Sequence, residues 1–216
     1  RRGNRSLDLV INLVEGERSY AGKINVTGNA VLSTEDILEE IRMREGDVYS
    51  PALLGEDRSR IRKRYGENGY LDARIVAIRK PNLETGQIDV TFDVTENNKF
   101  TVNSILVRGN DKTRTIAIVR ELALAPSEIF DLRRMETSEA RLRNTRFFER
   151  VTLDDEPIAT DDPEIQRSRR NLVVNVKEGR TGHVSFGVGF STLEKAMMFA
   201  EFRQGNFDLF RWRGPH

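Results

Sequence analysis

Along this chain, short runs of alternating apolar and polar residues hand over to runs with helical spacing, and the whole pattern recurs 81 residues later. Ile24-Asn25-Val26-Thr27-Gly28-Asn29 returns as Ile105-Leu106-Val107-Arg108-Gly109-Asn110. Each is a short period-two run ending in a turn pair, which predicts a strand. Ile37, Leu38 and Ile41 lie on one helical face and return as Ile118, Val119 and Leu122, with Ser33 or Thr34 placed to cap the first helix. Val48-Tyr49 returns as Ile129-Phe130. A second helix is predicted from Pro51, with Leu54, Ile61 and Tyr65 inward and Gly66 and Gly69 ending it. A strand over Leu71–Ile78 follows. Turn residues Pro81-Asn82 and Thr85-Gly86 then lead to the alternating strand Ile88, Val90, Phe92, Val94.

The closing strand occurs three times: Leu9, Ile11, Leu13, Glu15; then Val90, Phe92, Val94, Glu96; then Leu172, Val174, Val176, Glu178. The expected unit is β-α-α-β-β, with two helices on one face of a small sheet, in the α+β class. Residues 1–16 are expected to end a preceding unit, 17–97 to form one module and 98–180 a second. Asp154 to Arg170, with two prolines and a run of acids, predicts a solvated loop. It lacks the alternating ligands, central glycine and terminal glutamate of an EF-hand loop.

After Glu178-Gly179 the repeat fails. Val184, Phe186, Val188 and Phe190 alternate with Ser185, Gly187, Gly189 and Ser191, as a transmembrane β-strand does. Ala196, Met198, Ala200 and Phe202 give a second such candidate, joined through residues 192–195. Residues 181–216 are expected to be the first one or two strands of a truncated β-barrel; a soluble hairpin packed on the second module is the alternative.

Composition narrows the chemistry. Apolar residues make up 38% and charged residues 32%, so cores are small and the surface large. A net charge of +1 demands neither nucleic acid nor an anionic membrane as partner. With no cysteine there is no disulfide, thiolate nucleophile or cysteine-based zinc site. The only histidines, His183 and His216, have no acid or base placed beside them, and no Gly-x-Ser-x-Gly elbow occurs. No catalytic residue, metal or cofactor is expected. Gly66-Glu67-Asn68-Gly69 spells the Gly-x-x-Gly of a KH domain, but it precedes a strand and carries an acid, and the second unit has Asn144-Thr145-Arg146-Phe147 there. The arginines from Arg58 to Arg64 read as a solvated helix face, so nucleic acid is not an expected partner. The chain has no initiating methionine or signal segment and is expected to be an internal piece of a longer protein.

The β-α-α-β-β unit with its Gly-Asn turn and Val-x-Val-x-Glu ending resembles the polypeptide-transport-associated (POTRA) domain. The passage from Glu178-Gly179 into Gly187-Val188-Gly189-Phe190 and Gln204-Gly205-Asn206-Phe207 resembles the last POTRA domain running into the barrel of BamA-type outer-membrane assembly factors. Asp208-Leu209-Phe210-Arg211-Trp212 departs from that family's glycine-rich continuation. The resemblance implies a three-stranded mixed sheet per module and an outer-membrane location with a periplasmic arm. It implies three kinds of partner: unfolded outer-membrane proteins, accessory assembly lipoproteins, and outer-membrane lipid through the barrel. It further implies that the strand after the helices is an exposed edge for partner strands: Asp72, Ala73, Arg74, Ile75, Val76, Ala77 and Ile78 in one module, Glu149, Arg150, Val151, Thr152 and Leu153 in the other. Val184, Phe186, Gly187, Val188, Gly189 and Phe190 would be the barrel's first strand, at a lateral seam. A transporter of the same superfamily shares these features.

Overall fold

A computed structural model describes residues 18–179, 182–189 and 197–204. The expected remnant over residues 1–16 lies outside them, as do Phe190 and the link between the last two strands. The first module runs β1 (Ala21–Thr27), α1 (Thr34–Glu40), α2 (Pro51–Glu67), β2 (Arg74–Pro81) and β3 (Ile88–Thr95). The second runs β4 (Thr101–Arg108), α3 (Thr115–Val119), α4 (Leu132–Asn144), β5 (Phe148–Pro157), α5 (Pro163–Ser168) and β6 (Arg169–Glu178). In each, the last strand is central, parallel to the first and antiparallel to the strand after the helices: β1-β3-β2 and β4-β6-β5.

The central position explains the clean alternation of the closing strand. Val90, Phe92 and Val94 of β3 are buried against Ile37, Ile41, Leu54, Ile61 and Tyr65. Leu172, Val174 and Val176 of β6 do the same with Ile118, Phe130 and Leu142. Burying such side chains is worth about 1.5–3 kcal/mol each and drives the packing of short helices that would not persist alone. Both helices of the first module are capped by serine: Ser33 Oγ accepts from Asp36 N–H and Ser50 Oγ from Leu53 N–H.

The repeated glycine and glutamate meet in the fold. Gly28 has φ +77°, and a Cβ there would lie 2.2 Å from the Val94 carbonyl oxygen; Gly109 has φ +84° and 2.1 Å to Val176 O. The turn thus closes directly onto the central strand, leaving no space for a side chain. Beyond it, the Glu96 carboxylate accepts the N–H groups of Ala30 (2.8 Å) and Val31 (2.9 Å) and the Tyr65 hydroxyl (3.0 Å). Glu178 accepts those of Lys112 (2.9 Å) and Thr113 (2.6 Å). Partial burial works to raise the Glu96 carboxyl, but its donors outweigh this and hold it below the usual range. The Tyr65 hydroxyl is driven well upward, first by burial and then by Glu96.

Three expectations are corrected. The strand predicted over Leu71–Ile78 begins at Arg74, because Leu71 is drawn to the second core and Ala73 N–H closes a turn on Tyr70 O (3.2 Å). Gly66 does not end α2; it is buried within the helix, which closes at Asn68. The predicted loop 154–170 is largely regular. The β5 strand continues through its acids to Pro157, and α5 is capped by the Asp162 carboxylate, which accepts from Glu164 N–H (2.9 Å).

The modules meet along a polar joint. Phe100 N–H donates to Gly69 O (2.9 Å). Lys63 pairs with Glu136 (2.7 Å) and Arg133 with Glu67 (3.2 Å). Arg170 reaches Asp72 of the first module (2.5 Å) and Asp155 of the second, its guanidinium 4.3 Å over the Phe100 ring. On the open face of the second sheet, Arg108 of β4 pairs with Glu156 of β5 (2.9 Å). Their registers, opposite Asn175 and Asn171, carry that pair across Val173, which is only 2% exposed although it faces away from the helices.

Candidate docking edges

Each three-stranded sheet has two edges, and the connection between the two helices covers part of one. Tyr49 N–H donates to Ser19 O and Ala21 N–H to Asp47 O (both 2.8 Å), so residues 46–49 lie along the start of β1. In the second module Val102 N–H donates to Glu128 O (2.8 Å) and Ser127 N–H to Val102 O (2.7 Å), covering the start of β4. The repeated Val-Tyr/Ile-Phe pair is therefore a strand-capping segment, a role that the sequence pattern shows but does not explain. β2 and β5 carry no such cover among the described residues.

Register fixes which backbone groups of β2 are free. Asn82 N–H donates to Gln87 O, while Ile88 N–H turns the other way to Tyr20 O (both 2.8 Å). Along β3 the direction alternates, so Asp89, Thr91, Asp93 and Thr95 face β2. Their partners Lys80, Ile78, Val76 and Arg74 use their N–H and C=O groups inside the ladder. The outward groups belong to Ile75, Ala77 and Arg79. In the second module Gly179 N–H donates to Phe147 O (3.0 Å), and the same alternation leaves Val151, Leu153 and Asp155 facing outward on β5.

Side chains divide by the same parity. Ile75 and Ala77 point to the first core, whereas Val76 (38% exposed) and Ile78 (42% exposed) stand on the open face. On β5, Val151 and Leu153 are buried, while Arg150 and Thr152 are exposed. Asp72 and Ala73 are not edge residues: Asp72 is held by Arg170 and by Asn97, whose Nδ2 donates to the Asp72 carbonyl (2.8 Å), and Ala73 is buried. Beside the β5 bulge, Lys177 hydrogen-bonds the Glu149 carboxylate (2.9 Å) and, with its charge, holds that carboxyl below the usual range.

β7 (Gly182–Gly189) and β8 (Met197–Gln204) form an antiparallel two-stranded sheet. Phe186, Val188 and Met198 are strongly exposed on one face. Gly187 lies opposite Phe199, whose ring fills the space a Cβ would take, with Cζ 2.2 Å from that point. The glycine is thus covered by an aromatic side chain, which the apolar/glycine alternation did not reveal. No helix among the described residues is long and apolar enough to cross a membrane, and none of their His, Asp and Glu side chains cluster as metal ligands.

The family model described as POTRA, surface antigen variable number repeat, matches residues 19–97 and 100–179. An outer membrane protein assembly factor BamA of Nitratidesulfovibrio vulgaris is 30% identical over 182 residues, covering 82% of this chain and 22% of that protein. A BamA of Neisseria meningitidis serogroup B is 28% identical over 91% of the chain and 24% of its own length. The chain spans about a quarter of the length of these relatives. Among solved structures, BamA of Haemophilus ducreyi lacking POTRA domains 1–3 superposes with a TM-score of 0.71 at 20% identity, over 88% of this chain and 35% of that one. POTRA domains 3–5 of Haemophilus influenzae BamA give 0.66 at 19%, over 76% and 63%. With two matched repeats over most of its length and BamA relatives along both, the chain belongs to the POTRA family.

Proposed function

We propose that this chain is part of the periplasmic arm of a BamA-type outer-membrane protein assembly factor. It receives unfolded outer-membrane proteins and promotes their folding and insertion without covalent chemistry. Its modules hold client segments and accessory lipoproteins by adding a strand to β2 and to β5. Residues 181–216, which include β7 and β8, would begin the barrel, through which the protein meets outer-membrane lipid.

The observation that carries this reading is the outer position of β2 and β5, which no described residue covers while the opposite edges are partly capped. Outward N–H and C=O groups offer affinity that is nearly blind to side-chain sequence, as a machine with many clients requires.

Arg79→Pro tests it. Arg79 is exposed and its N–H points outward, so proline there removes a docking donor and leaves the ladder whole. Val76 is the wrong site, because its N–H lies inside the ladder. With a urea-unfolded outer-membrane β-barrel protein diluted into the chain, Arg79→Pro is expected to weaken binding about tenfold. Unchanged binding, with the fold intact by circular dichroism, would overturn strand addition at β2.

A further inference from the structure

The free edge of the first module borders a groove whose charge is not balanced. Arg58 and Arg62 of α2 face the start of β2 across a cleft of about 340 Å³. Gly55 and Arg58 face Ala77 and Arg79 across an adjoining cleft of about 220 Å³. Arg58 belongs to both, so they form one groove along β2. Arg74 and Arg79 complete its lining. Among the described residues, no hydrogen bond or ion pair is made by the side chains of these four arginines. Asp72, the one acid lining these two clefts, is already engaged by Arg170, and Glu136 and Asp155, which share a third cleft with Arg62, are held by Lys63 and Arg170.

The second module carries different charges at the matching helix positions. Eighty-one residues on from Arg58 and Arg62 stand Glu139 and Arg143, which pair with each other. The two modules share a fold and differ in charge at these two helix positions, so the arginines of the first are not a requirement of the module.

Resting on the strand-addition reading above, we propose that the first module selects an extended segment in which acidic and apolar residues alternate. The geometry gives this code directly. A strand laid on β2 pairs with the outward groups of Ile75, Ala77 and Arg79, and side chains opposite these fall on the α2 face, among Arg58 and Arg62. The intervening side chains fall on the open face, beside the exposed Val76 and Ile78. Carboxylates suit the first row and apolar groups the second. A phosphate-bearing surface would satisfy the arginines but would leave the backbone edge and the apolar row unused.

Three fluorescein-labelled ten-residue peptides, alternating valine with glutamate, glutamine or lysine, provide the test by anisotropy against the full chain. The glutamate peptide is expected to bind about tenfold more tightly than the glutamine peptide, an advantage that shrinks with salt, while the lysine peptide binds least. The double variant Arg58→Glu, Arg62→Glu is expected to invert the order in favour of the lysine peptide, which a misfolded protein would not do. If glutamate and glutamine peptides bind alike and Arg79→Pro weakens both, strand addition stands and charge selection is overturned. If no peptide binds, both fall. Peptide-independent binding to phosphatidylglycerol vesicles that the double variant abolishes would assign the groove to lipid headgroups instead. Self-association abolished by the double variant and not competed by peptide would assign it to a second copy.

Discussion

Asp57 is 0% exposed in the middle of α2, and it organises the chain that leaves α1. Its carboxylate accepts the N–H of Arg42 (2.9 Å) and, fully inside the module, that of Met43 (3.0 Å). Asp57→Ala removes both acceptors at once. Met43 N–H has no route to water and is left unsatisfied, at a cost of about 1–3 kcal/mol. The Arg42 bond lies nearer the surface, and losing a bond to a charged acceptor there costs about 1.5 kcal/mol more. The sum of about 2.5–4.5 kcal/mol is a large part of the total stability of a small domain. The second module supplies the control. Its corresponding residue, Ser138, accepts Ala123 N–H (2.8 Å) through Oγ and donates to Arg134 O (2.7 Å). Asp57→Ser restores one acceptor on a shorter side chain, so it is expected to cost about half as much as Asp57→Ala. Urea unfolding followed by circular dichroism, with amide exchange at Met43, measures both. An Asp57→Ala cost below about 1 kcal/mol with Met43 still protected would refute the assignment of Asp57 as the acceptor that holds this segment.

Three further predictions follow from the packing. Gly109→Ala is expected to destabilise the second module by about 2–4 kcal/mol in urea unfolding, since the methyl group meets the Val176 carbonyl and φ is positive. Glu96 has a depressed carboxyl, so its contribution is complete above its unfolded value near 4.5 and is lost as pH falls through the lower folded value; Glu96→Gln should flatten the acid side of the stability–pH profile. Arg170→Met should leave both modules folded but broaden the distribution of angles between them in small-angle scattering, because it removes the links to Asp72 and Asp155; Arg170→Lys is expected to rescue only partly, lacking the two-pronged guanidinium.

How much of this was legible in the sequence differs by level. The tandem α+β modules were, because a buried central strand forces strict alternation and a helix face forces its own spacing. The glycine and glutamate of each repeat were visible as a matched pair, although the fold alone shows why: Glu96 and Glu178 cap the turns that Gly28 and Gly109 allow. Boundaries were less legible where an element answers to its neighbour. Leu71 looks like a strand residue but packs across the joint, and the acids after Leu153 look like a loop but form ladder and ion pairs.

The candidate docking edges divide the same way. Period-two patterning marks β2 and β5 as half-buried strands, but an edge is defined by what does not lie beside it, and that depends on where residues 46–49 and 127–130 fold back. Nor does a strand's sequence say which of its N–H groups face outward. Pairing register decides that, and it makes Arg79 rather than Val76 the informative place for a proline. The sequence by itself determined the modules, the cap of the first helix and the cores, because these arise from local spacing and burial. Only the tertiary structure decided which edge stays open, which backbone groups it offers and that arginines without a partner among the described residues line it, because those depend on contacts between residues far apart in the chain.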